Sequence, residues 1–130
     1  MKSIQEDIKA KIETYFSDLI AIRRHIHQNP ELSFEETETA KFISSKLTEF
    51  NIEHKTNVGG NGIVGLIKGK NPTKKTVALR ADIDALPIQE TNNVEYKSKV
   101  DGKMHACGHD VHTTCLLGAS KVLNEFAPNL

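Results

Sequence analysis

The sequence predicts a mixed α/β fold. Three observations carry that expectation. Two amphipathic helical stretches fill the first 50 residues, short β-branched segments occupy residues 52–85, and a further helical stretch follows residue 109. Apolar residues spaced three or four apart mark a helix face, and alternating or continuous β-branched runs mark strands.

The first helix is expected over residues 4–27. Ile4, Ile8, Ile12, Tyr15, Leu19, Ile22 and Ile26 form one stripe, and charges fill the opposite face. Pro30 ends it, because the residue before a proline is pushed out of helical geometry. A second helix is expected to start near Ser33. Ser33 and Glu36 form the S-x-x-E pattern of a capping box, and Ala40, Ile43, Leu47 and Phe50 form its stripe. Asn51 closes it.

Residues 52–57 alternate as a half-buried strand does, residues 57–62 are turn-rich, and residues 63–68 read as a second strand. Residues 69–75, with Asn71-Pro72, are read as a hairpin connection. Residues 76–85 are the most apolar and β-branched run and are expected at the centre of the sheet. Residues 86–106 lack periodicity and read as a long loop, with a short extended piece near Val94 to Tyr96. The last helix is expected over residues 110–126. Its stripe is Val111, Cys115, Ala119, Val122 and Phe126, and Asp110 stands at the cap position.

Composition narrows the function classes. The chain has 130 residues with 17 Lys+Arg against 17 Asp+Glu, a formal net charge of zero. A nucleic-acid binder needs a basic excess to neutralise phosphates, so nucleic acid is not the expected partner. A polybasic membrane anchor is disfavoured for the same reason. No apolar run approaches the roughly 20 residues of a bilayer span, and charges run through residues 1–16, unlike a secretory signal. Two cysteines give no disulfide framework, so a cytoplasmic location with reduced thiols is expected. One domain is the default for this length.

Four constellations could carry chemistry. Gly60, Gly62 and Gly65 spell G-x-G-x-x-G. A dinucleotide fingerprint needs those glycines to open a helix whose N-terminus meets the pyrophosphate. Here they open a strand, so they read as a glycine-rich turn.

Residues 104–112 hold Cys107, His105, His109, His112 and Asp110. Thiolate and imidazole are the preferred ligands of zinc and similar metals. In an extended segment, side chains two apart project the same way, so Cys107 and His109 can grip one metal, with Gly108 leaving the space between them clear. His105 and His112 are candidates for a third ligand or for groups that orient the ligands. Cys107 as a nucleophile ranks lower, because no oxyanion site is recognisable. Cys115 falls on the apolar stripe and is expected in the core.

Asp82 and Asp84 lie two apart at the carboxyl end of the expected central strand, where ligands gather in open α/β sheets. Either they serve a site, or Arg80 pairs with one and the other caps the turn. Arg23, Arg24 and His27 close the first helix, where basic groups suit the helix dipole. The residues alone assign His27 no further role.

Three stretches now stand in order: Arg23 through Phe34, Leu79 through Pro87, and Met104 through Asp110. Together they resemble the N-terminal part of the metal-dependent N-acyl-amino-acid amidohydrolases. This is the aminoacylase/carboxypeptidase superfamily, in the branch with hippurate hydrolase, N-acetyldiaminopimelate deacetylase and the indole-acetyl-amino-acid hydrolases. The resemblance implies a zinc-peptidase-like mixed-sheet catalytic domain with flanking helices. It implies two divalent metals per complete site, zinc or manganese, with Cys107 and His109 as the first two ligands. Asp84 matches the acidic residue beside the metal site and is assigned to catalysis. Asp82 stands where related branches carry a histidine ligand.

The reaction implied is hydrolysis of the amide bond of a small-molecule N-acyl amino acid, in an enzyme expected to be homo-oligomeric. Family members are much longer. Their Glu-Glu pair, remaining histidine ligands and inserted dimerisation domain would fall beyond residue 130. Residues 1–130 are therefore expected to be the N-terminal portion of the catalytic domain, inactive alone. The alternatives are a non-catalytic remnant, or a half-enzyme completed by a second chain. A Cys–His zinc-binding interaction module is a third reading, and it requires folding to depend on metal.

Overall fold

The structure is a computed structural model and describes residues 3–129. Helix α1 spans Ile4–Gln28, α2 Thr37–Glu49 and α3 His109–Phe126, and a short 3-10 turn, Ala127–Asn129, follows. Strands β1 (Glu53–Val58) and β2 (Gly62–Leu66) form an antiparallel hairpin.

A capping box starts α1, but at Ser3. The Ser3 side chain accepts from the Glu6 N–H, and the Glu6 carboxylate accepts from the Ser3 N–H. At the other end, Asn29 closes the helix through its own N–H to Ile26 O and its side chain to His25 O. Pro30 follows, fully buried.

The expected capping box at Ser33 does not form. Helix α2 begins four residues later, with no side-chain bond from its cap residue Glu36. The Ser33 hydroxyl donates instead to Asp84 Oδ2 at 2.5 Å. The free N–H groups of α2 are met by Glu31, whose two carboxylate oxygens accept from Glu38 N (3.1 Å) and Thr39 N (2.7 Å). The close of α2 is as expected. Asn51 takes a left-handed φ of 56°, with bonds from Ile52 N to Leu47 O and from Asn51 N to Thr48 O. That pair of bonds is a Schellman closure.

The hairpin pairs Glu53 with Leu66 and Lys55 with Val64, with an irregularity before Val58 pairs with Gly62. A Cβ on Gly62 would lie 2.3 Å from Val58 O, so only glycine allows that approach. The G-x-G-x-x-G glycines thus turn into and build a strand, as expected.

Helices α1 and α3 pack antiparallel, since Tyr15 bonds to Glu125 at one end and His27 to Asp110 at the other. Ile22, Ile26, Ile43, Leu47, Phe50, Ile52 and Leu117 form the core, with Leu19, Phe42, Ile63, Ile67 and Ile83 packed against it. The buried face of α3 corrects the expected stripe. Asp110, Thr113, Thr114, Leu117, Gly118 and Val122 face inward, while Val111 and Cys115 are exposed. Small residues let the helices approach closely, and Gly118 lies against Leu19.

The expected central strand is also corrected. Residues 76–85 pair with no neighbouring strand, apart from one parallel bridge between Ala85 and Leu32. Val77 is 73% and Leu79 59% exposed. A strand needs a neighbour to satisfy its N–H and C=O groups, and before Ala85 no described strand runs beside this segment. Residues 94–96 form a turn, not an extended piece. Among the described residues, no helix is long and apolar enough to cross a membrane.

Candidate metal centre

Residues 84–86 and 104–109 are brought side by side by backbone pairing. Leu86 and Met104 exchange both N–H···O bonds at 3.0 Å, and Ala85 N donates to Glu31 O at 2.7 Å. Chain 76–85 is fixed further by Thr113, whose hydroxyl donates to Asp82 O at 3.0 Å. Residue 84 therefore faces the start of α3.

His109 meets Asp84 there. Its Nδ1 lies 2.9 Å from Asp84 Oδ1 and 3.0 Å from the Asp84 carbonyl oxygen. Both are acceptors while Asp84 is ionised, so Nδ1 carries the proton. In the neutral ring, Nε2 then presents its lone pair outward. This is the arrangement in which a carboxylate fixes the tautomer and orientation of a metal-binding imidazole. Asp84 is held ionised: the Ser33 hydroxyl, more than any other group, draws its pKa below the ordinary value.

Cys107 is exposed, and Gly108 turns the chain into α3 with a left-handed φ of 87°. That left-handed turn leaves α3 without a side-chain cap. Asp110 is therefore not the cap the sequence suggested. Its side chain lies in the first turn, fully buried, and points at α1.

The donors fit a divalent metal in kind: one exposed thiol and one imidazole with an oriented free nitrogen. They do not complete a site. Among the described residues, no group of three or more His, Cys, Asp or Glu side chains is placed to hold a metal ion. His112 is exposed, with its ring 5.8 Å from that of His109. His105 is 4% exposed with both ring nitrogens unpartnered, and burial above all lowers its pKa. Asp82 takes the paired role that was left open, through Arg80 at 2.9 Å.

A buried polar cluster behind the loop was not foreseen. His27 is 3% exposed at the end of α1. Its Nδ1 lies 2.7 Å from Asp110 Oδ2 and its Nε2 3.1 Å from Glu90 Oε1, and both carboxylates have no exposed side-chain surface. Arg23 Nε lies 2.9 Å from the same Asp110 oxygen. Glu90 also accepts from Ser98 N (2.6 Å) and Asn92 Nδ2 (3.2 Å). Burial works against its charge, but those bonds and His27 together outweigh burial and hold its pKa below the ordinary value. A guanidinium and an imidazole thus face the two buried carboxylates, which supplies the partners buried carboxylates require. In the sequence, His27 stood out only as part of the basic end of α1 and of the stretch Arg23 to Phe34, neither of which points to buried carboxylates.

Residues 78–130 match the family described as Peptidase family M20/M25/M40. An IAA-amino acid hydrolase of Arabidopsis thaliana is 51% identical over 93% of this chain and 27% of its own length. An N-acyl-L-amino acid amidohydrolase of Geobacillus stearothermophilus is 42% identical over 97% of this chain and 34% of its own. Among solved structures, the Bacillus subtilis YXEP protein, described as a dinuclear metal binding peptidase from the M20 family, superposes with a TM-score of 0.82. It is 44% identical, over 91% of this chain and 33% of its own. The chain is thus similar to these proteins over nearly its whole length, and it spans only about a third of the length of each.

Proposed function

We propose that this chain forms the Cys107/His109 half of the two-metal site of an amidohydrolase that cleaves the amide bond of N-acyl amino acids. The observation that carries this reading is the Asp84–His109 contact through Nδ1, which leaves Nε2 for a metal, two residues along the chain from an exposed Cys107. Relatives named as amidohydrolases and a neighbour named as dinuclear support it. The thiol and imidazole donors suit zinc, and the resemblance to the amidohydrolases adds manganese as the other candidate. A bound divalent metal would supply Lewis-acid polarisation of the amide carbonyl and activation of water.

Cys107 and His109 hold the metal in this reading. Asp84 keeps the His109 proton on Nδ1, and the Ser33 hydroxyl stabilises the Asp84 carboxylate further. Asp84 acts by orienting a ligand, which refines the catalytic role first assigned to it. The described residues supply too few ligands for a closed site. The remaining ligands and the general base come from chain outside these 130 residues, in the same polypeptide or in a second one. Residues 1–130 then count as the N-terminal portion of a catalytic domain, acting in a homo-oligomeric cytoplasmic enzyme on a small-molecule substrate.

The test is a chimera in which this chain replaces the matching third of the Geobacillus stearothermophilus relative. The folded chimera should hydrolyse an N-acyl amino acid in the presence of metal, and Cys107→Ala or His109→Ala should abolish it. A folded but inactive chimera, or activity indifferent to Cys107→Ala, would contradict the reading. The 130-residue chain alone should show no hydrolysis.

A further inference from the structure

The candidate ligands are anchored from two sides, and only one side touches them. Asp84 bonds to His109 directly. The other anchor is remote. Asp110, the next residue along, is tied by its side chain to His27 and Arg23 of α1. His27 in turn spans to Glu90 in loop 86–106. That loop is fastened to the same end of α1, by Lys99 N to Gln28 O at 2.9 Å and by Tyr96. The Tyr96 ring stands edge-on to His27 and lies 4.9 and 4.8 Å from the guanidinium carbons of Arg23 and Arg24.

We propose that His27 is a positioning residue, and that the Glu90–His27–Asp110 bridge sets the pose in which Cys107 and His109 are offered to a metal. The inference rests on the metal-site reading above. The argument is geometric. Between Cys107 and His109 the chain passes through Gly108, which has no Cβ, a left-handed φ of 87° and no side-chain cap, and is held to α3 only through its carbonyl, which accepts from Val111 N and His112 N at 3.0 Å. Such a joint needs fixing from both ends if two donors are to meet one ion within a few tenths of an ångström. Met104 fixes the loop side through Leu86. On the helix side, the Asp110 carboxylate draws the first turn of α3 onto α1, and Thr114 Oγ1 bonds back to Asp110 O at 2.7 Å.

One imidazole makes the link between the two carboxylates. Each ring nitrogen faces a different buried acid, so the contact is specific to an imidazole with two opposed nitrogens. A plain hydrophobic contact would serve helix packing as well. It would not fix the rotation of Asp110.

The test uses cobalt(II) as the probe on the whole 130-residue chain, reading the thiolate-to-cobalt absorption band of Cys107. Wild type, Cys107→Ala, His27→Ala, His27→Gln and Glu90→Gln are titrated at a temperature where circular dichroism shows each folded. Expected is a band in the wild type, none in Cys107→Ala, and a 10- to 100-fold weaker affinity in both His27 variants, the order seen for groups that orient ligands. Glu90→Gln keeps the shape but leaves one acceptor oxygen where Glu90 offers two, to Ser98 N on one side and to His27 and Asn92 on the other, and should fall between, so it decides the matter if a His27 variant fails to fold. A folded His27 or Glu90 variant with wild-type cobalt affinity overturns the positioning role and leaves the metal site standing. A wild-type chain with no Cys107-dependent band overturns the metal site, and the positioning role with it.

Discussion

Asp84 grips His109 through two different acceptors, its side-chain Oδ1 at 2.9 Å and its own carbonyl oxygen at 3.0 Å, both on Nδ1. The double contact fixes the ring even where one acceptor is lost. Asp84→Ala should therefore weaken metal binding toward the lower end of the roughly 10- to 100-fold range for such partners. The fold should survive, because Asp84 is only half-buried. Metal titration with circular dichroism checks both points.

The charge of Asp84 depends first on Ser33. A carboxylate with a depressed folded pKa stabilises the fold fully above its ordinary value of 3.8, and that contribution is lost as pH falls through the lower folded value. Ser33→Ala should move the Asp84 titration upward and shift this acid loss to higher pH. Carboxyl-carbon NMR titration of both proteins reads the change directly, and an unmoved Asp84 would contradict it.

The cap of α2 gives a paired prediction. Glu31→Ala removes the acceptor of two helix N–H groups and should cost about 1 kcal/mol, the usual scale for a lost cap. Ser33→Ala should leave α2 unaffected, because Ser33 bonds to Asp84 and not to the helix. Amide hydrogen exchange at Glu38 and Thr39 at neutral pH, which reads the first turn of α2 itself, should quicken in Glu31→Ala and stay unchanged in Ser33→Ala.

Close packing of α1 on α3 is set at Gly118. A Cβ there would meet Leu19 Cδ1 at 3.0 Å and Cδ2 at 3.1 Å. Gly118→Val adds further carbons in the same place and should cost about 1–3 kcal/mol, the usual scale of overpacking. Thermal unfolding checks this, and a valine that stabilises would contradict the described contact.

Chain 76–85 offers exposed Val77 and Leu79 on a backbone without a strand partner. Such a segment is a template for pairing with another copy. Val77→Lys with Leu79→Lys should reduce self-association in light scattering, and should shift unfolding by no more than about 0.5 kcal/mol per site.

Local patterns in the sequence were legible where the interaction was itself local. The α1 stripe, the closure of α2 at Asn51 and the hairpin glycines all follow from neighbours within a few positions. The errors share one cause. Ser33 and Glu36 spell a capping box as well as Ser3 and Glu6 do, but Ser33 is captured by Asp84, 51 positions away. His27 looked like an ordinary helix-end base because Glu90 and Asp110 lie 63 and 83 positions away. The α3 stripe was misplaced because tight packing on α1 selects Gly118 and two threonines over Val111 and Cys115. Strand character in residues 76–85 is real in composition, but a strand exists only when a partner lies beside it. Cys107 and His109 were put forward from residue type and spacing. The contacts proposed to orient them, Asp84 from one side and His27 through Asp110 from the other, are tertiary.

The most direct test of the central claim is equilibrium dialysis of the 130-residue chain against zinc, with Cys107→Ala and His109→Ala alongside. A preformed Cys107/His109 half-site predicts one zinc per wild-type chain and loss in both variants. No zinc in the wild type, or zinc retained by Cys107→Ala, would contradict it.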